Sequence, residues 1–257
     1  MKKTLTFIIL ALTALCATAE ELYIGTFYVT SQEEETQYGD GRDKWTSRRP
    51  AISDMFNFEQ PDVLGLQSLT DTQLRGILAY MTTHQHEGNI LYKKTMQLLA
   101  SGTVEEMPEG CTCSWVKLQK GEKPFYVFNI CFTADAVNAA ARVVEATKEV
   151  NTENLPCIVL GYLGVNEKNS AYSRLNIRFP DCYKKASIIS AEFGTVNNFD
   201  LAANHGTDRL DYIFAKGITT KAYGHLQYGY YTKETDGSYK RRLPSTHFPV
   251  MVKATLP

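Results

Sequence analysis

The run Cys157–Tyr162, Cys-Ile-Val-Leu-Gly-Tyr, is apolar at almost every position and too short for a helix. A strand that is apolar on both faces belongs at the centre of a sheet covered on both sides, so the chain needs layers above and below it. Residues 63–67, set off by the breaker Pro61-Asp62, form a second short buried strand of this kind. Around these two runs, β-rich segments are expected at 22–30, 90–93, 97–104, 112–118 and 125–132. Further strands are expected at 209–215, 219–227 and 247–254, with a hairpin over 230–241 whose tip is Asp236-Gly237. Helices are expected from Thr46 or Ser47, with Pro50 in the first turn, and over 70–80, capped by Thr70 or Asp71. A third is expected over 134–150, with Val137, Ala140, Ala141 and Val144 as its apolar stripe. Residues 32–44 read as an exposed acidic loop. Helices between early strands and hairpins later imply two packed sheets flanked by helices.

The first residues concern the compartment. Lys2 and Lys3 precede the apolar run 5–15, and Ala17-Thr18-Ala19 offers small residues for cleavage before Glu20. That is the pattern of a secretory signal peptide over residues 1–19, too short to remain as a membrane anchor. An exported protein, periplasmic or secreted, is expected. Cys16 raises lipid attachment, but the bulky Leu15 before it disfavours that route. Residues 20–257 contain no linker, repeat or low-complexity tract, so one domain and a monomer are expected. A formal charge of -1 supplies no surplus of Lys and Arg to displace counterions, which argues against nucleic acid as a partner. Cys111-Thr112-Cys113 lacks the spacing of zinc or thioredoxin pairs and reads as buried strand cysteines.

Seven segments resemble, in order, the motifs of the endonuclease/exonuclease/phosphatase family. Thr26-Phe27-Tyr28-Val29 resembles its first strand, Thr-Phe-Asn-Ile; Trp45, Arg48 and Arg49 resemble its Trp-x-x-Arg-Arg helix start. Residues 61–68 are similar to Pro-Asp-Ile-Ile-Gly-Leu-Gln-Glu, and 125–131 to Phe-Tyr-Val-Phe-Asn-Thr-His. Residues 158–164 resemble Ile-Leu-Thr-Gly-Asp-Phe-Asn, 209–214 resemble Arg-Ile-Asp-Tyr-Ile-Phe, and 244–250 resemble Pro-Ser-Asp-His-Phe-Pro-Val. The set spans nearly the whole of residues 20–257. The resemblance implies a four-layer α/β sandwich of the DNase I-like kind, with the site at the strand ends between the two sheets.

The same resemblance implies Mg²⁺-dependent phosphoester hydrolysis, which needs carboxylate and amide oxygens around a hard cation. Position by position, that chemistry is missing. Where the family has its metal-site Asn, this chain has Tyr28; where it has the metal-binding Glu, Ser68. Its phosphate-contacting His is Cys131, its Asp and Asn after the central strand are Tyr162 and Gly164, and the Asp before its last His is Thr246. Asp211 and His247, expected to hydrogen-bond to each other, remain, with Asn129. No cofactor and no metal are expected.

Two readings stay open. In the first, the chain is a non-catalytic binding protein. Its old cleft positions, the tyrosines at 28, 162, 228, 230, 231 and 239, and the basic triplet Lys240, Arg241 and Arg242 would meet a phosphorylated or carbohydrate small molecule. In the second, a hydrolase site is rebuilt for Mg²⁺ or Mn²⁺ from Glu33, Glu34, Glu35 or Asp135. Cys131 beside His247 also invites a thiol nucleophile, against which stands the simpler role of a buried strand cysteine. Cys131 and Cys157 are both expected on central strands close to the site end.

Overall fold

The computed structural model describes residues 19–38, 41, 43–191, 193–201 and 206–257. Residues 1–18, which hold Cys16 and all but the last residue of the leader expected over 1–19, lie outside the described residues. The first half runs β1 (Glu20–Tyr28), α1 (Glu35–Tyr38), α2 (Trp45–Glu59), β2 (Val63–Gln67), α3 (Asp71–Leu78), β3 (His84–Glu87), β4 (Ile90–Lys93), β5 (Gln97–Thr103), β6 (Cys111–Lys120) and β7 (Lys123–Phe132). It continues with α4 (Ala136–Val150), β8 (Cys157–Tyr162), α5 (Ser170–Arg178), α6 (Cys182–Lys185), β9 (Ile188–Ser190), β10 (Asp211–Lys216), β11 (Thr219–His225), β12 (Tyr230–Lys233), β13 (Tyr239–Arg242) and β14 (Val250–Leu256).

Two mixed sheets carry these strands. One has the order β3-β4-β2-β1-β14-β11-β9 and the other β10-β8-β7-β6-β5, while β12 and β13 pair as a separate hairpin. Both apolar runs that demanded covering on two faces lie inside the sheets. Ile24, Val63 and Val252 of the first sheet meet Val127, Ile158 and Ile213 of the second in one buried cluster. Phe27, Leu64 and Leu66 point the other way, onto Ile52, Phe56 and Ile77 of α2 and α3. Phe128, Val159 and Phe214 pack outward against Ala139, Val143 and Leu175 of α4 and α5. Period-two alternation in the strands therefore feeds separate cores, giving four layers: helices, sheet, sheet, helices. Among the described residues, no helix is long and apolar enough to cross a membrane.

The helix starts show where local signals suffice. Thr70 caps α3 in a full capping box: its side chain accepts from Gln73 N, and the Gln73 side chain accepts from Thr70 N. In α2, by contrast, the helix already begins at Trp45, so Pro50 falls inside it, beyond the first turn. The buried stripe of α4 is Ala136, Ala139, Ala140, Val143 and Ala146. It is rotated by one position from the expected one, so small alanines face the sheet and Val137 and Val144 lie at its margin.

Candidate functional site

Register brings the motif positions together. β1 and β2 run parallel with Tyr28 opposite Gln67, and β7 and β8 run parallel with Cys131 opposite Tyr162. β10 starts at that same end, with Asp211 opposite Tyr162. The segment entering β14 supplies Thr246 and His247. One end of the two facing sheets thus gathers Tyr28, Ser68, Cys131, Tyr162, Thr246 and His247, with Gly164 just beyond β8. Gly164 adopts φ 70°, and a Cβ there would lie 2.6 Å from Phe132 O, so its backbone alone calls for glycine.

Rings fill the middle of this end. Tyr28 stacks on His247 with centroids 4.2 Å apart, and Tyr162 closes against Tyr28 at 4.7 Å. His247 Nδ1 lies 2.7 Å from Asp211 Oδ2, so the expected pair is formed. Among the described residues, Asp211 Oδ1 is buried with no hydrogen-bond partner, and so is Asn197 Nδ2 on the segment beside His247. Asn129 does not join the pair. Its Oδ1 accepts from Gln67 Nε2 at 2.6 Å and its Nδ2 donates to Leu66 O at 3.0 Å, which ties the two sheets together. Gly65 makes room for this tie, since a Cβ there would lie 2.7 Å from Asn129 Oδ1.

The acidic loop behaves unlike a solvated charge run. Glu34 turns into the site: its Oε1 accepts from the Tyr28 hydroxyl, and its Oε2 accepts from the Ser68 hydroxyl and, at 2.8 Å, from Ser31 N. Burial pushes the Glu34 carboxyl up, and these hydrogen bonds outweigh it, so the net shift is below the ordinary carboxylate value. Burial, reinforced by Glu34, pushes the Tyr28 hydroxyl well up, which keeps it a donor. Glu35 pairs at 2.8 Å with Arg48, a fully buried guanidinium whose other bonds go to the carbonyls of Val29, Thr30, Asp43 and Pro244. All five guanidinium N–H groups are thereby used, and the loop is pinned to β1 and to the segment before His247. Glu33 stays exposed. Asp135 caps α4 by accepting from Asn138 N.

Thr30 and Ser68 sit at left-handed φ values of 68° and 47°, a strained state for a β-branched threonine. Thr30 is held there by its hydroxyl contacts to Ser245 at 2.9 Å and Thr246 at 2.6 Å. The Asp position of the resemblance is thus occupied by a threonine that bonds within the protein.

The remaining candidates fall elsewhere. Arg242 is buried and paired at 3.3 Å with both Asp43 and Glu234. Arg241 donates to Gln227 O on the exposed hairpin, where Tyr231 and Tyr239 also stand exposed. Burial pushes the Cys131 thiol up to about 12, away from the reactive thiolate. Cys157 corrects an expectation: it pairs with Tyr126 and Lys216, at the far end of β8 from Tyr162. A strand rises about 3.3 Å per residue, so a residue at the start of β8 cannot be near its end.

The donor set suits Mg²⁺ poorly. That cation wants near-octahedral oxygens with free lone pairs, and here three donors already occupy Glu34 while His247 holds Asp211. Among the described residues, no three His, Cys, Asp or Glu side chains group closely enough to share a metal ion.

No family model matches the sequence, and no curated protein matches it. Solved structures do. An endonuclease/exonuclease/phosphatase family protein from Bacteroides thetaiotaomicron superposes with a TM-score of 0.84 at 23% identity, over 93% of this chain and 99% of that one. A mannosyl-6-phosphatase from the same species gives 0.82 at 24%, over 91% and 99%. D. rerio TDP2, complexed with a single strand DNA product, gives 0.64 at 14%, over 91% and 98%. At these identities what is shared is the fold, the DNase I-like α/β sandwich.

Proposed function

We propose that this chain is an exported, divergent member of the endonuclease/exonuclease/phosphatase family that acts by binding and not by phosphoester hydrolysis. The observation that carries the reading is the grip on Glu34. Tyr28 and Ser68, standing where the family has its Asn and Glu, turn their hydroxyls onto this carboxylate instead of leaving oxygens open to a cation. A preorganised charge centre is what such catalysis depends on, and removing one contact commonly costs on the order of 10²–10³ in rate. Several contacts that act together cost nearly all of the advantage over water, although the effects do not add. The ligand class this reading favours is a small sugar-like or phosphorylated molecule, the latter by likeness to the mannosyl-6-phosphatase.

The test is calorimetric titration of the purified protein with Mg²⁺ and Mn²⁺, alongside turnover of mannose 6-phosphate, a nitrophenyl phosphodiester and DNA. The expected result is no metal-dependent turnover above background, and none restored by Ser68→Glu alone. A second reading, a rebuilt hydrolase site, draws on the same carboxylate, because Glu34 reaches the position of Ser68. Mn²⁺-dependent turnover that disappears in Glu34→Ala would favour it and overturn the first.

A further inference from the structure

Beside the filled ring cluster lies an open cleft of about 510 Å³, bounded by the residues after β2, the turn at Gly88 and Asn89, the segment after β5 and the ends of β6 and β7. Its size falls within the range of small-molecule sites. Polar groups along it are neutral: the hydroxyls of Ser68, Thr112 and Ser114, the amide of Asn89 and the Cys131 thiol. Burial keeps that thiol protonated. Apolar surface comes from Val104 and Met107. Among the described lining residues there is no Lys, Arg or His, and the charged one is Glu105. A second negative charge, Glu34, lies directly behind Ser68.

This lining discriminates between ligand classes. A phosphate entering it would give up hydration and meet carboxylates instead of a guanidinium or ammonium group, which is costly. A neutral polyol would exchange water for hydroxyl and amide partners, with its C–H face on Val104 and Met107. We infer that this cleft binds an unphosphorylated mono- or disaccharide, or a closely similar neutral polyol, and selects against the phosphorylated form. The inference rests on the binding reading above and narrows its ligand.

The experiment is saturation-transfer NMR on the purified protein with a panel of common neutral mono- and disaccharides and their 6-phosphates. Hits are then titrated by calorimetry. The expected result is binding of neutral members, weakened at least about tenfold by a 6-phosphate, since 1.4 kcal/mol of unpaired charge already gives that factor. Thr112 is exposed at the cleft, so Thr112→Trp should keep the fold and abolish binding by filling the mouth. Asn89→Ala, at a half-buried position, should weaken binding several-fold and serves if the tryptophan variant unfolds. Phosphorylated sugars binding more tightly, no neutral member binding at millimolar concentration, or binding unchanged in both variants would each overturn the inference. Metal-dependent turnover of a sugar phosphate would instead overturn the non-catalytic reading, so the two failures are told apart.

Discussion

The two sides of the site end satisfy their polar side chains in different ways. On the side of the seven-stranded sheet, Glu34 accepts from Tyr28 and Ser68, and Thr30 bonds to Thr246, so these polar side chains satisfy one another. On the side of the five-stranded sheet, Asp211 bonds to His247, while among the described residues its Oδ1 has no hydrogen-bond partner and Asn197 Nδ2 has none either. On the binding reading proposed above, one side has been rebuilt as structure and the other retains part of an older arrangement, with Tyr162 and Gly164 at its remaining positions. Stability should therefore depend far more on the rebuilt side. Glu34→Ala strips acceptors from Tyr28, Ser68 and Ser31 N at once, and hydrogen bonds to a charged group are worth about 1.5–3 kcal/mol each without adding fully. A loss of about 2–3 kcal/mol is expected, read as a lower urea midpoint at unchanged slope. A loss under about 0.5 kcal/mol would remove the contrast.

Acid separates the contributions further. The folded Glu34 carboxyl titrates below its ordinary value of 4.5, so its stabilisation is fully present above that pH and is lost as pH falls through the depressed value. His225 gives a loss in a higher window. Burial lowers it from 6.5 to about 4, so the folded state binds fewer protons than the unfolded one between those values. Stability therefore declines as pH falls from 6.5 towards 4 on account of His225, and His84, also lowered by burial, adds to that decline. Glu34→Gln should leave this upper decline in place and flatten the curve below about pH 4.5, as followed by urea midpoints from pH 7 to pH 3. An unchanged acid limb would place the sensitive carboxylate elsewhere.

Much of this was legible in the chain itself, and the failures have physical reasons. The two buried runs and the ordered motifs gave the four layers, because strands covered on both faces admit few architectures. The pair Asp211 and His247 and the gathering of Tyr28, Ser68, Cys131, Tyr162 and Thr246 also followed, since parallel neighbours end together. What escaped were partnerships between distant segments. Nothing local in residues 32–44 says that Glu35 meets a buried Arg48 or that Glu34 reaches Ser68, thirty-four positions on. Read alone, three consecutive glutamates look solvated; Arg48 and the hydroxyls draw two of them inward. Likewise Arg242, within a basic triplet, is buried against Asp43, a contact across 199 positions. The α4 stripe was misplaced because several near-equivalent alanines leave the helix phase weakly defined until the sheet selects the smallest face.

The smallest effect is expected at the retained pair. Asp211 presents one oxygen to His247 Nδ1 at 2.7 Å, and the other has no partner among the described residues. In Asp211→Asn the side-chain carbonyl can take the place of Oδ2, preserving that hydrogen bond, while the amide nitrogen replaces an oxygen that already had none. Hydrogen-bond count is therefore conserved, and a buried carboxylate that is half unsatisfied gives way to a neutral group, which is cheaper to bury. The loss of charge assistance in the bond to His247 works against this. The two terms oppose each other, so the net destabilisation should be below about 1 kcal/mol, clearly smaller than for Glu34→Ala measured in the same urea titration. Should Asp211→Asn instead cost about 3 kcal/mol or more, the scale of a broken buried ion pair, the retained side would be as structural as the rebuilt one, and the distinction between them would fail.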